Sequence, residues 1–328
     1  MPAGSAGETE RHLAAGAEMS ATKEETVFPT ESHWNLGDTE AYRRWRAERL
    51  AAAEALAESP APVEIRTLAN PSDSERRELC RRCRLTNAAL YQAADMAADD
   101  EAVRDQLLGF ARAMGLRIAE RHRSAGRGGI VALRVSEAAG QRGYIPYSRR
   151  PMNWHTDGYY NPPGQKIRAM VLHCVRPADD GGENRFLDPE IAYIRLRDRN
   201  PDYIRALMHP AAMTIPENRE PDGRLRPASI GPVFSFDPAG GALEMRYTAR
   251  SRSIAWRDDP LTREAVAALA EILGAGDPLV MRVKMAAGQG ILCNNSLHDR
   301  SGFDQGRAGG GSRRLVYRIR FHNRIPGS

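Results

Sequence analysis

The apolar positions of this chain change their spacing near residue 129. Before that point they recur at helical intervals. Beyond it they come in short runs rich in Val, Ile, Leu and Tyr, separated by Gly, Pro and Asp. Helical periodicity with good helix formers predicts helices over about 38–58, with Asp38 placed to cap it, 72–96 and 101–121, and a short strand over 63–68. The later runs, 130–135, 169–175, 233–236, 279–285, 290–293 and 315–321, read as strands. Two helices interrupt them. Asp188-Pro189 is a cap followed by proline at the first helical position and opens a helix to about Arg199. The other spans 261–273 and is closed by Gly274. The expected fold class is mainly β with helices: a sandwich or barrel core carrying a helical N-terminal region. The expected division is a disordered leader over 1–27, a mainly helical region over 28–128 packed on the core, and the core with inserted helices over 129–328. No internal repeat is evident.

Composition narrows the class. Hydrophobic content of 41% and charged content of 27% are ordinary for a soluble globular protein. The net charge of +5 is small for 328 residues and comes almost wholly from Arg, since Lys stands only at Lys23, Lys166 and Lys284. No basic run is interleaved with aromatics, so nucleic acid is not expected as a partner. No stretch reaches the roughly 18 apolar residues of a membrane span, and the first 27 residues lack the apolar segment of a secretory signal. Four cysteines in a chain this long do not make a disulfide framework, so a cytoplasmic location is expected. Cys80 and Cys83 form a CxxC with no second CxxC or neighbouring His pair, which reads as two small residues on a helix. A homo-oligomer is compatible with all of this.

The chemistry sits in Asn153-Trp154-His155-Thr156-Asp157. On a strand, His155 and Asp157 point the same way, because side chains alternate between faces. With a second His they complete a 2-His-1-carboxylate triad, which holds Fe(II) and leaves positions for a cosubstrate and oxygen. Of the eight histidines, His12 falls in the leader, and His33 and His122 in the helical third. His173 lies inside an apolar strand and reads as a core residue. His209 ends a helix, and His322 lies past the last strand. His298 follows the strand over 288–295 and opens His298-Asp299-Arg300-Ser301-Gly302-Phe303, which makes it the candidate third ligand.

Alternation over 313–321 puts Leu315, Tyr317, Ile319 and Phe321 on one face and Arg314, Val316, Arg318 and Arg320 on the other. So many arginines on one face form either a solvated surface or a clamp for a carboxylate. Arg314, sixteen residues after His298, suits the distal carboxylate of 2-oxoglutarate, and Arg318 is a second candidate.

Together these segments resemble the taurine dioxygenase / 2,4-dichlorophenoxyacetate dioxygenase family of Fe(II)- and 2-oxoglutarate-dependent enzymes. The matching residues are Asn153-Trp154-His155-Thr156-Asp157-Gly158, Gly181-Gly182-Glu183-Asn184, His298, and Arg313-Arg314 with Arg318, within about 129–323. The run from His298 to Phe303 is similar to the clavaminate synthase and carnitine-biosynthesis branches. The resemblance implies a double-stranded β-helix (jelly roll), Fe(II), 2-oxoglutarate and O2, and hydroxylation with release of succinate and CO2. It implies a cosubstrate role for Asn184, where the family carries a hydroxyl residue; an amide can still donate to a carboxylate. Asp157 argues against halogenation, because halogenases replace this carboxylate with a small residue.

The substrate is expected to be a small molecule, carboxylated or zwitterionic, with a sulfonate second. Asn153, Tyr159, Tyr160, Tyr147, Asn295 and Arg300 flank the ligands and either line its pocket or pack. Arg149-Arg150 either attract an anion or form a solvated turn. Desaturation or C–heteroatom cleavage is the alternative on the same fold. A non-catalytic sensor of metal or 2-oxoglutarate is the alternative of another class, and it has no need of an open oxygen position.

Overall fold

The computed structural model describes residues 33–58, 61–120, 125–138, 141–219, 223, 225–237, 241–250, 252–304 and 314–328. The expected leader with His12, and also His122 and Arg313, lie outside these residues. Among the described residues there are six α-helices: α1 Thr39–Glu58, α2 Asp73–Thr86, α3 Asp100–Ala113, α4 Pro189–Arg199, α5 Pro201–Leu207 and α6 Pro260–Ala275. Many strands accompany them, and ten build two larger sheets. These are β1 Val63–Ile65, β2 Ala88–Ala93, β3 Val131–Leu133, β4 Met152–His155, β5 Ala169–Arg176, β6 Asn184–Leu187, β7 Met281–Val283, β8 Gln289–Cys293, β9 Leu297–Arg300 and β10 Leu315–Phe321.

The six-stranded sheet runs β1-β2-β8-β5-β10-β3, and the four-stranded sheet runs β7-β6-β9-β4. Every pairing is antiparallel except β1 with β2. A period of two along β5 explains the layering. Ala169, Val171 and Val175 join one apolar cluster with α2 and α3 residues such as Leu79, Leu107 and Phe110. Met170, Leu172 and Cys174 join another, which includes Phe186 of β6 and Met285. The second cluster therefore lies between the two sheets. A third cluster joins α4, α5 and α6 to Leu187 and Leu297 on the far side of the four-stranded sheet.

The segment expected as one helix over 72–96 divides in two. Ser72 and Glu75 form a reciprocal capping box at the start of α2. Asn87, at φ 55°, then turns the chain left-handed and donates its N–H to the Cys83 carbonyl. Beyond it Ala88 and Leu90 face the layer between the sheets, while Ala89, Tyr91 and Ala93 face the α2–α3 layer. Tertiary pairing with β8 thus overrides the helix propensity of the alanines. The N-terminal region consequently supplies two strands to the large sheet in addition to helices. The third helix stops at Ala113, not near 121, because Gly115 takes φ 72°. The helix expected to close at Gly274 continues to Ala275 and ends at Gly276, at φ 80°.

His173 is fully buried, as expected of a core residue, with Nδ1 3.1 Å from the Tyr91 hydroxyl. Burial lowers it to about 4. Cys83 is buried beside the Leu292 carbonyl at 3.5 Å, and all four cysteines are free.

Gly290 of β8 is a point where the sheet tolerates no side chain. A Cβ there would stand 2.2 Å from the Tyr91 ring and 2.5 Å from the Leu172 carbonyl oxygen. Gly290→Ala is expected to destabilise the chain by roughly 2–3 kcal/mol, the upper range of overpacking costs. Urea denaturation checks this; an unchanged midpoint would show that the sheet yields there.

Candidate metal centre

His155 ends β4 and His298 lies on β9, and the two are directly paired across the antiparallel ladder. Their ring centroids are 4.2 Å apart. Asp157 is not on the strand as expected. It opens a turn two residues past His155, and Gly158 at φ 67° carries the chain away. It still points to the same side, because Thr156 extends the strand by donating its N–H to the Tyr247 carbonyl at 3.0 Å. One donor atom from each of His155, Asp157 and His298 lies within 4.8 Å of the others, and all three residues are buried.

The donor chemistry fits a metal ion. Nδ1 of His155 is 2.9 Å from the Asn153 carbonyl, and Nδ1 of His298 is 3.0 Å from the Ser296 carbonyl. A carbonyl only accepts, so each Nδ1 carries the proton and each Nε2 keeps a lone pair. Burial, and next the neighbouring His298, hold His155 neutral down to about 3; burial also lowers His298. For Asp157 burial alone raises the pKa, but Arg318, Arg320 and the two histidines outweigh it and hold the carboxyl below the usual range. Its Oδ1 lies 3.0 Å from Arg318 Nη1 and 3.5 Å from Arg320 Nη1. Its Oδ2 is buried and has no partner among the described residues. One oxygen is thus braced and the other is left for a ligand bond.

The expected cosubstrate residues separate into different roles. Arg314 is buried, with Nη1 lacking any partner among the described residues and its guanidinium 4.9 Å from the Phe303 ring centre. Burial lowers its pKa, and no carboxylate among the described residues relieves it. Asn184 on β6 is buried and spends one amide hydrogen on the Gly182 carbonyl at 3.3 Å. Gly182 lies alongside Arg314, since a Cβ there would be 3.6 Å from its Nε. Arg318 is placed differently from the expectation. It pairs with Asp157, so in this structure it braces the candidate ligand and is not free for 2-oxoglutarate.

The six flanking residues divide similarly. Tyr159 is buried and meets His155 edge-on at 6.5 Å. Tyr160 packs on Tyr159 and accepts a hydrogen bond from Arg320 at 3.1 Å. Asn153 is exposed at the rim of β4. Tyr147 lies in the apolar layer between the sheets, away from the expected pocket-lining role. Asn295 is committed to backbone: it accepts from the Asp157 N–H at 2.8 Å and donates to the Asp157 and Ile167 carbonyls. Arg300 donates to the Ser148 and Arg150 carbonyls and stands 4.8 Å from the Phe303 ring, close enough to Arg314 to feel its charge. Burial, then Arg314, lower Arg300 to about 9.

Two supports escaped the sequence reading. Arg320 shares the face of Arg318, so alternation placed it without assigning a role. Glu120, an ion-pair partner of Arg320, has no local signal at all. It is brought in because Glu120 N–H bonds the Arg320 carbonyl beside β10.

A cavity of about 100 Å³ lies behind the Asp157 turn, lined by Asn161, Lys166, Arg168, Glu244 and Asn295 among others. It does not include His155, His298 or Arg314.

A family model described as "Taurine catabolism dioxygenase TauD, TfdA family" matches residues 98–319. The match begins just ahead of α3, well before the start near 129 taken from the sequence. A uridine-5'-phosphate dioxygenase from Amycolatopsis sp is 36% identical over 95 residues, 29% of this chain and 33% of that protein. The aligned part thus spans about a third of the curated relative. The non-heme iron oxygenase OrfP, solved with Fe, succinate and (3S)-hydroxy-L-Arg, matches at TM-score 0.58 and 16% identity, over 84% of this chain and 92% of that one. An asparagine oxygenase, solved with Fe(II), 2S,3S-3-hydroxyasparagine and succinate, gives 0.52 and 14% over 84% and 90%. PvcB from Pseudomonas aeruginosa gives 0.52 and 17% over 80% and 85%. At these identities the solved structures establish a shared fold.

Two expectations follow. Asn295→Ala strands the Asp157 N–H and two carbonyls, which should cost roughly 2–4 kcal/mol. It should also weaken Fe(II) binding about 10- to 100-fold, as loss of ligand-orienting contacts does. Thermal unfolding without metal and an anaerobic Fe(II) titration measure the two effects separately.

The second concerns acid. His33, His155 and His173 have folded values of about 4, 3 and 4, below the 6.5 of the unfolded chain. The unfolded chain therefore takes up protons first, and stability of the metal-free protein falls as pH drops from 6.5 toward 4. Urea midpoints between pH 7 and 4.5 should decline, and less steeply in His173→Gln. A flat profile would show these histidines are not neutral in the folded chain.

Proposed function

The chain belongs to the taurine catabolism dioxygenase TauD/TfdA family, and on that premise we propose that it is an Fe(II)- and 2-oxoglutarate-dependent dioxygenase. In this reading it hydroxylates an unactivated C–H bond of a small carboxylated or zwitterionic molecule, with release of succinate and CO2. One juxtaposition carries the proposal: a buried His155–Asp157–His298 cluster and, on the strand face that Arg318 presents to Asp157, the buried Arg314, whose Nη1 has no partner among the described residues. His155 and His298 hold Fe(II) through Nε2 and Asp157 through Oδ2, while Arg314 takes the distal carboxylate of 2-oxoglutarate. Bound iron supplies the activation of O2; the protein supplies position and electrostatics.

The residues act on that chemistry by holding it still. The Asn153 and Ser296 carbonyls set the histidine tautomers. Arg318 and Arg320 keep Asp157 ionised in a buried setting. Asn184 retains one amide hydrogen to add to the Arg314 subsite. The facing sheets of six and four strands support a double-stranded β-helix core over 129–328, completed by β1 and β2 from the 28–128 region. No helix among the described residues is long and apolar enough to cross a membrane.

The comparisons support the substrate class. The relative is named for a nucleotide monophosphate, and two of the solved structures hold hydroxylated amino acids. All are small molecules that carry an anionic group.

Anaerobic titration with Fe(II) and 2-oxoglutarate should give a weak visible charge-transfer band. His155→Ala should abolish it, and Arg314→Ala should shift the 2-oxoglutarate midpoint upward about 10- to 100-fold, equivalent to roughly 1.4–2.8 kcal/mol of a charge-assisted contact. No band with iron bound in the wild type would sink the proposal.

A further inference from the structure

The turn between β8 and β9, residues 294–296, bears on two of the three candidate ligands at once. Asn295 clasps the Asp157 turn, and the Ser296 carbonyl faces Nδ1 of His298. His298 in turn pairs with His155 across the ladder. Both ends of this turn meet one residue from the N-terminal region, Asn87. Its carbonyl accepts from the Asn294 N–H at 2.8 Å and from the Ser296 hydroxyl at 3.0 Å. Its side-chain Oδ1 accepts from Asn294 Nδ2 at 3.2 Å and from Arg324 Nη2 at 2.6 Å. Its Nδ2 donates to Asp188 Oδ1 at 2.8 Å and to Glu190 Oε1 at 3.4 Å.

The side chain of Asn87 exceeds what its helix end requires. Closing α2 at φ 55° needs only a residue that tolerates the left-handed region, and glycine does so with no side chain to bury. The Asn87 amide is buried, and both of its polar atoms are paired. The pairing also needs an amide, since the group must accept from Asn294 and Arg324 while donating to two carboxylates. One of them, Asp188, is itself fixed: it caps α4 by accepting from the Glu190 N–H at 2.9 Å and pairs with Arg49. The end of α2, the start of α4 and the 294–296 turn therefore meet at a single amide.

We propose that Asn87 is a positioning residue for the metal centre, an inference that rests on the reading of His155, Asp157 and His298 as an Fe(II) site. Asn87 touches none of the three. It acts through the turn: Ser296 carries its hold to the His298 ring, and Asn294 carries it to Asn295 and so to Asp157. Without the Asn87 amide the turn loses its tie to α4, and the Ser296 carbonyl no longer stands fixed opposite Nδ1. The His298 proton is then shared between the two ring nitrogens, and the lone pair at Nε2 is no longer reserved for a metal.

The test uses the full chain, with Co(II) as the probe metal because its visible spectrum reports both binding and coordination. Asn87→Gly keeps the left-handed backbone and removes the amide; Asn87→Asp puts a carboxylate against Asp188 and Glu190. Each should weaken Co(II) binding about 10- to 100-fold, as loss of ligand-orienting contacts does. The double variant Asn87→Asp/Asp188→Asn exchanges donor and acceptor at unchanged net charge. It should return affinity to within about 3-fold of wild type, the coupling expected of a restored pair. Leu107→Ala, in the layer outside the large sheet, should lower thermal stability and leave Co(II) affinity unchanged. In the metal-free protein, the nitrogen shifts of labelled histidine should show His298 protonated at Nδ1 in the wild type and mixed in Asn87→Gly. Ser296→Ala, which removes only the hydroxyl bond to the Asn87 carbonyl, should act in the same direction and decides the question if an Asn87 variant does not fold. Wild-type affinity and shifts in a destabilised Asn87→Gly, no recovery in the exchanged pair, or an equal loss in Leu107→Ala would overturn the proposal. A wild type that binds no Co(II) would defeat the metal reading, while the His298 shifts still decide whether Asn87 positions that ring.

Discussion

The site depends on keeping one carboxylate ionised out of water. Asp157 is buried, and an isolated buried carboxylate would neutralise itself by taking a proton. Arg318 and Arg320 prevent this from one strand, two residues apart and on one face. They reach only Oδ1, so the bracing pair leaves Oδ2 without a partner among the described residues. Removing one partner from so buried a cluster typically costs about 3–5 kcal/mol, because the remaining charge is stranded. The arrangement is therefore valuable for the state and orientation it imposes more than for net stability.

That cluster draws in parts of the chain far apart in sequence. Asn295 clasps the Asp157 turn from both its N–H and its carbonyl. Glu120, from the stretch after α3, ties Arg320 to the N-terminal region and also accepts from Asn161. A second buried network, in which Arg49 of α1 meets Asp188 and Glu190, joins α1 to the start of α4. Burial, then the neighbouring Asp188, raise the Glu190 carboxyl above the usual carboxylate range. The N-terminal region thus completes the core's ion pairs as well as its large sheet.

The cations without partners are as informative as those with them. A buried guanidinium lacking an acceptor is costly unless a ligand supplies one. Arg314 fits that description at Nη1, which has no partner among the described residues, and Gly182 and the Phe303 ring lie beside its guanidinium. Arg300, close by, donates from Nη2 to two backbone carbonyls and so holds the 148–150 segment that leads into β4, while its Nε has no partner among the described residues.

Alternation in the sequence was enough to place Arg314, Arg318 and Arg320 on one face, and His155 and His298 were singled out by residue type and strand context. Those features survive folding because period two and ligand chemistry are local properties. The strand at Ala88–Ala93 was not legible, since its alanines favour a helix and only pairing with β8 makes it extended. The roles of Arg318, Asn295 and Tyr147 were equally hidden. Each depends on what a distant segment presents: a carboxylate, a pair of backbone groups, or an apolar layer. The sequence by itself singled out the three candidate ligands and the arginine-bearing strand, because residue type and period-two alternation are local. Only the tertiary structure decided which arginine is spent on Asp157 and which remain free, because charge pairing is settled by distance in space and not by spacing along the chain.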